Sequence, residues 1–134
     1  MAQSHNYDVF ISYSHKDADW VRGTLLPKLE SHGFSVLIDF RDFRGGSFGI
    51  EEMQRGVLES RRVILVLTEN YLKSDWTKFE NVMAQTIDPG AVQRKIVPVL
   101  RESCNIPLRL KVLHYRDLRA EDDQQWQLLM RDLI

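Results

Sequence analysis

Short runs of apolar, β-branched residues recur along the chain without the polar alternation of a half-solvated strand. Tyr7 to Tyr13, Ser35 to Ile38, Arg62 to Leu67 and Ile96 to Leu100 are four such runs, and the weaker Val112 to Tyr115 makes a fifth. Runs of this length, bounded by turn residues, read as buried strands. A strand with no solvent-facing register has both faces covered, which is the pattern of a parallel sheet flanked by helices.

Amphipathic segments between the runs supply those helices. Trp20, Leu25 and Leu29 form a stripe that ends at His32-Gly33, with Pro27 placed to kink it. Phe48 to Leu58 predicts a short second helix. Glu69 to Ile87 is the longest pattern, with a break expected near Ser74-Asp75, either of which can cap a fresh helix, and Asp88-Pro89-Gly90 ends it. Asp122 to Ile134 closes the chain with Trp126, Leu129, Met130 and Leu133 on its apolar side. The expected order is βαβαβαβ(α)βα. At 134 residues this is one domain spanning 1–134, with residues 1–6 expected as a flexible extension.

Composition excludes several classes of function. Eighteen basic residues against 19 acidic ones, scattered along the chain, give no electrostatic reason for a nucleic-acid or anionic-membrane partner. No run approaches the roughly 20 apolar residues that span a bilayer. Cys104, the single cysteine, has no disulfide partner, which fits a cytoplasmic location. His5, His15, His32 and His114 lack metal-ligand spacing, so no metal is expected. Neither GxGxxG nor GxxxxGK[ST] occurs, which removes the dinucleotide-dehydrogenase and P-loop readings.

Ligands of an open parallel sheet bind at the carboxyl ends of its strands. Ser14 to Asp17, Asp39 to Gly49 and Thr68 to Trp76 should meet there. Asp39 at a strand end invites a phospho-acceptor reading, but that needs paired acids after the first strand, where Ser14-His15 stands.

These segments also carry a resemblance. Tyr7-Asp8-Val9-Phe10-Ile11-Ser12-Tyr13, then His32-Gly33-Phe34-Ser35-Val36 with Asp39, Arg41-Asp42-Phe43-Arg44-Gly45-Gly46, Ser60 to Thr68, and Tyr71-Leu72 with Ser74-Asp75-Trp76 resemble, in order, the motifs of Toll/interleukin receptor (TIR) domains. The resemblance implies a flavodoxin-like α/β three-layer sandwich with a five-stranded parallel sheet. It also implies open-ended homotypic association with other TIR domains, with Arg41, Asp42, Arg44, Gly45 and Gly46 in an assembly loop. Signalling receptors carry Pro-Gly where Gly45-Gly46 stands, which weakens a receptor-like docking role. Trp76-Thr77-Lys78-Phe79-Glu80 resembles the NAD-cleaving members of bacterial defence and axon degeneration, which implies an NAD+ glycohydrolase with NAD+ as substrate and no further cofactor. Glu80 is then catalytic, and Trp76, Phe48, Tyr13 and Ser14 contact substrate.

The chemistry is coherent. Spacing of four puts Trp76 and Glu80 on one helix face, so both can address one cleft. Nicotinamide is already a cationic leaving group, so one carboxylate that stabilises the developing ribosyl cation is enough. Release to water yields ADP-ribose, and attack by adenine yields a cyclic ADP-ribose. The bland alternatives stand beside this: Glu80 as a solvated residue or the capping partner of Thr77, Trp76 as core, Phe48 as a staple onto the following helix, Tyr13 as core, and Arg41, Asp42 and Arg44 as a solvated loop. The alternative function is a non-catalytic TIR scaffold.

Overall fold

A buried run must satisfy its backbone within regular structure, and short β-branched runs do so by pairing in a sheet. The computed structural model describes residues 5–86 and 88–134. Strands β1 (Tyr7–Ser12), β2 (Val36–Leu37), β3 (Ser60–Leu67), β4 (Ile96–Leu100) and β5 (Arg116–Asp117) lie in the order β2-β1-β3-β4-β5. Every pair is parallel, with Val9 between Val36 and Arg62, Leu65 opposite Pro98, and Val99 opposite Arg116. The five-stranded parallel sheet therefore forms as expected. Its fifth strand does not: Val112 to Tyr115 is replaced by the two residues that follow. Val112 ends a helical turn and the Leu113 amide donates to the Leu110 carbonyl at 3.0 Å, which takes that backbone away from the sheet.

Helix α1 covers residues 15–31 with changing pitch. A 3-10 turn His15–Asp17 leads to an α turn Ala18–Trp20, a π-helical stretch Val21–Leu25, and a regular helix Leu26–Ser31. The wide turns just precede Pro27, whose ring and missing N–H a regular helix cannot accept. A local π turn lets the helix run on through the proline. The other helices are α2 (Asp39–Asp42), α3 (Gly49–Glu59), α4 (Glu69–Ser74), α5 (Trp76–Ala84), α6 (Pro89–Lys95), α7 (Leu108–Lys111) and α8 (Asp123–Asp132).

The break between α4 and α5 falls at Asp75, as the sequence predicts. Helix α6 is unexpected. Asp88-Pro89, read as a stop, is also a start: the Asp88 carboxylate accepts from the Ala91 amide at 3.0 Å and Pro89 sits in the first turn, where its missing N–H costs nothing. The expected flexible extension over residues 1–6 falls mostly outside the described residues; Asn6 donates to Glu59 at 3.0 Å.

Side chains alternate across β1, so Val9 and Ile11 face one layer and Phe10 the other. Leu25 and Leu29 of α1 and Trp126 and Leu129 of α8 cover the first face. Val57 of α3, Phe79 and Val82 of α5 and Val92 of α6 cover the second. At Gly56 a Cβ would stand 2.9 Å from the Phe10 ring, so glycine is what allows α3 to approach β1 this closely. No described helix is long and apolar enough to cross a membrane.

Candidate functional site

Parallel strands deliver their carboxyl ends to one rim, and there the three expected segments meet around a cavity of about 530 Å3. Phe10, Ile11, Phe43, Ile50 and Met53 give it an apolar lining. Ser12, Tyr13 and His15 from the end of β1, Asp39 after β2, and Asp75, Lys78 and Asn81 at α5 add polar groups.

Asp39 ties two of these walls together. Its Oδ1 accepts from the Tyr13 hydroxyl at 2.6 Å and from the Phe40 amide at 2.7 Å, and its Oδ2 is bonded to His15 Nε2. Arg22 of α1 donates to the Tyr13 oxygen at 3.0 Å and lies 4.4 Å from the centre of the Phe40 ring. Burial pushes the Asp39 carboxyl up, but hydrogen bonds from Tyr13 and His15 outweigh it and hold the group below its usual value. Burial, reinforced by the hydrogen bond to Asp39, raises the Tyr13 phenol. The cavity therefore keeps an ionised carboxylate beside a neutral phenol.

The opposite rim is fastened by Asp17, which accepts from the Thr68 hydroxyl at 2.6 Å and the Asn70 amide at 3.2 Å. Beneath it the buried Tyr71 hydroxyl shares a hydrogen bond of 2.9 Å with Ser12, and burial raises that phenol too.

The loop after β2 is not the solvated charged segment its composition predicts. Arg41 donates to the Val36 carbonyl at 2.6 Å and pairs with Glu30 and Asp42, while Asp42 accepts from the Ile38 amide at 2.8 Å. Arg44 binds the buried Glu52 through its backbone N–H at 2.7 Å and its guanidinium at 2.8 Å. Arg55 joins Glu52 at 3.3 Å and also donates to the Asp42 carbonyl at 2.9 Å. The charges close on one another because the segment folds back over the first turn of α3. Beyond them the chain turns at Gly46, whose φ of +83° favours glycine.

The Arg44 guanidinium, followed by its amide, holds the Glu52 carboxyl down to about 2, from an ordinary 4.5. A carboxyl depressed in the folded state contributes stability that is whole above its unfolded pKa and lost as pH falls through the folded one. Thermal stability should therefore drop between about pH 4.5 and 2, and Glu52→Gln should flatten that part of a Tm-against-pH curve.

The predicted site residues do not gather in one place. Tyr13 lines the cavity. Ser14 is buried just past β1, where its hydroxyl caps the first turn of α1 by accepting from the Lys16 amide at 3.3 Å. Phe48 is 72 % exposed on the outside of the loop, neither lining the cavity nor packed as a staple. Trp76 is buried in the core and stacks on Phe79, with ring centres 6.3 Å apart. Glu80 is half-buried and does not line the cavity.

Trp76 and Glu80 do share a flank of α5, as spacing requires, and neither of them lines this cavity. At about 100° per residue, Asp75, Lys78 and Asn81 occupy the flank on the other side of the buried stripe of Trp76, Phe79, Val82 and Met83. Thr77 is inside the helix that starts at Trp76, so the capping-box reading of Glu80 fails as well. Sequence reasoning weighed Asp39 only as a phospho-acceptor and missed its pairing with His15, and it passed over Glu52. The first pair had a signal in standing at adjacent strand ends; Glu52 had none, since an acid in a first helical turn is ordinarily solvated.

Burial, with Glu102 and Glu69 nearby, raises the Cys104 thiol and makes its reactive thiolate scarcer, consistent with a structural residue. Among the described residues no cluster of three or more His, Cys, Asp or Glu side chains is placed to hold a metal ion.

Comparison with known proteins gives one consistent family. Residues 9–130 match the family model described as "TIR domain". The chain is 34 % identical over 125 residues to Toll-like receptor 4 of Felis catus, covering 90 % of this chain and 15 % of that protein. It is 43 % identical over 77 residues to Protein toll of Drosophila melanogaster, covering 55 % of this chain and 7 % of that protein. It thus spans only a small part of the length of these relatives. The TIR domain of the Toll-related receptor TRR-2 from Hydra magnipapillata superposes with a TM-score of 0.82 at 28 % identity, covering 96 % of this chain and 98 % of that one. A metazoan TIR-STING receptor from C. gigas gives 0.76 at 26 % identity, covering 99 % of this chain and 42 % of that one.

Proposed function

Because the chain belongs to the TIR domain family, we propose that it works in innate immune signalling by homotypic, head-to-tail assembly, docking its loop after β2 onto a second surface of the next copy. The observation that carries this reading is a pair of exposed apolar surfaces at opposite edges of the sheet. On the side of β2, Phe40 just after the strand and Phe48 and Ile50 at the start of α3 are exposed. Beside the β5 edge stand Leu108 at 81 % and Val112 at 73 % exposure.

The second surface has its own logic. Leu108 and Val112 are four apart and share the outward face of α7, while Leu110 points into the core. Arg109 and Lys111 flank that face, and residues 103–116 contain no Asp or Glu. The loop side offers an exposed acid, Glu51, next to the apolar Ile50. Four inter-strand spacings, roughly 19 Å, separate the two edges, so a contact joining them is heterologous and leaves a free surface at each end for growth. Light scattering of the wild type should rise steeply with concentration, and Phe48→Asp should abolish the rise. Protein that stays monomeric at high concentration would sink the reading.

A second reading is NAD+ glycohydrolysis, releasing nicotinamide and ADP-ribose or its cyclic form. The cavity favours it: 530 Å3 with an apolar lining and a few fixed polar groups suits one flat ring of a dinucleotide with its hydroxyls. Glu80, which the family resemblance singles out although it stands outside this cavity, is the proposed stabiliser of the ribosyl cation, and Asp39, already ionised in the cavity wall, is its competitor for that role. Nicotinamide release from assembled protein should fall by roughly a hundredfold or more in Glu80→Ala, as when a transition-state partner is lost. Loss in Asp39→Asn with Glu80→Ala active would transfer the role to Asp39, and no release from assembled wild type would end the reading.

A further inference from the structure

The docking loop carries a fixed half and a free half, and the boundary lies at Arg44. Upstream, Ile38, Asp42 and Arg44 are each fastened through the backbone: the Ile38 amide to Asp42 Oδ2 at 2.8 Å, the Asp42 carbonyl to Arg55 at 2.9 Å, and the Arg44 amide to Glu52 Oε1 at 2.7 Å. Downstream, Gly45, Gly46 and Ser47 carry the chain to Phe48 with a single backbone hydrogen bond among the described loop contacts, Ser47 to the Arg44 carbonyl at 3.3 Å. Glu52 is where the upstream ties converge. Its side chain is 1 % exposed, yet it receives Arg44 from one side and Arg55 from the other, and Arg55 reaches on to Glu59 at 3.0 Å.

We propose that Glu52 is the positioning residue of the docking loop: its buried carboxylate, gripping Arg44 and Arg55, holds residues 42–44 against α3 so that Phe48 is presented in one orientation. This rests on the assembly reading for its consequence, though not for its geometry. A carboxylate suits the task because it accepts five hydrogen bonds at once, from an amide and two guanidinium groups. Glutamine at that position offers one oxygen and turns an N–H2 toward a cation. The loop then samples other conformations, and docking weakens by the fraction of time spent out of the competent one.

The same grip reaches the cavity. Phe43, between the fastened Asp42 and Arg44, stacks on Phe10 with ring centres 6.2 Å apart and lines the cavity with Ile50 and Met53 of α3. Loop and cavity wall therefore keep their places through one carboxylate.

The test compares wild type, Glu52→Gln and Phe48→Asp by amide hydrogen exchange at a concentration where the chain is monomeric, and by light scattering at higher concentration. Glu52→Gln should speed exchange at residues 42–44 by about tenfold or more while α8 and the strands stay protected, and should raise the concentration needed for assembly about tenfold. Unchanged exchange at 42–44 overturns the proposal. Faster exchange with unchanged assembly, where Phe48→Asp does abolish assembly, overturns it as a docking determinant. If Phe48→Asp leaves assembly intact, the assembly reading has failed and the exchange result alone decides whether Glu52 holds the loop. Should Glu52→Gln fail to fold, Arg44→Gln removes the guanidinium half of the grip from a side chain that is 65 % exposed, and Arg44→Lys, which keeps the charge but not the fork, should restore part of the protection.

Discussion

Mixed in equal amounts, Phe48→Asp and Leu108→Asp chains should form discrete dimers, although each variant alone stays monomeric. The first has lost its docking loop but keeps the α7 surface; the second has the converse defect. One competent contact remains between unlike chains, and the resulting pair has no usable surface left for growth. A carboxylate forced into an apolar contact costs about 2–4 kcal/mol, which weakens association roughly thirty- to a thousandfold. Sedimentation velocity distinguishes the outcomes. If Leu108→Asp assembles like the wild type, α7 is not the receiving surface and a loop-to-loop, isologous contact takes its place. A mixture that stays monomeric means that the two surfaces do not pair with each other.

The second large effect separates two residues that the sequence groups together. Trp76→Ala should lower stability by about 3–5 kcal/mol, because the indole is buried against Phe79 and its removal leaves a cavity in the layer under α5. Glu80→Ala, at a half-buried position one turn later, should change stability by only about 0.5 kcal/mol. Urea denaturation of both variants measures the difference. Its value is practical: lost activity in a Glu80 variant speaks to function, whereas lost activity in a Trp76 variant speaks first to folding. A Trp76→Ala chain as stable as the wild type would restore the indole to the role of ligand wall.

Much of the fold was legible because its signals are local and redundant. Strands β1, β3 and β4 are central or nearly so, and burial on both faces leaves them as continuous apolar runs. β5 was not legible. Only Arg116 and Asp117 pair, at an edge where side chains are half-buried, and no composition marks a two-residue ladder. The site was less legible still. Spacing placed Trp76 and Glu80 on one flank of α5, but which flank meets the cavity depends on how Phe79, Val82 and Met83 seat the helix against β3. Glu52 looks in sequence like any acid in a first helical turn, and only the folded-back loop makes it a buried anchor.

The two sides of the cavity mouth differ in mechanical character. Asp17 with Thr68 and Asn70, and Ser12 with Tyr71, weld the ends of β1 and β3 into one stiff jaw. On the other jaw everything up to Arg44 is anchored, the Phe48 carbonyl is tied to the Glu52 amide at 3.1 Å, and the span from Gly45 to Ser47 between them carries a single backbone hydrogen bond among the described contacts. A mouth of this kind widens by bending one lip, not by parting its walls. A neighbour seated on Phe48 would therefore bear on the least-tied stretch of that lip, beside the opening and not within it.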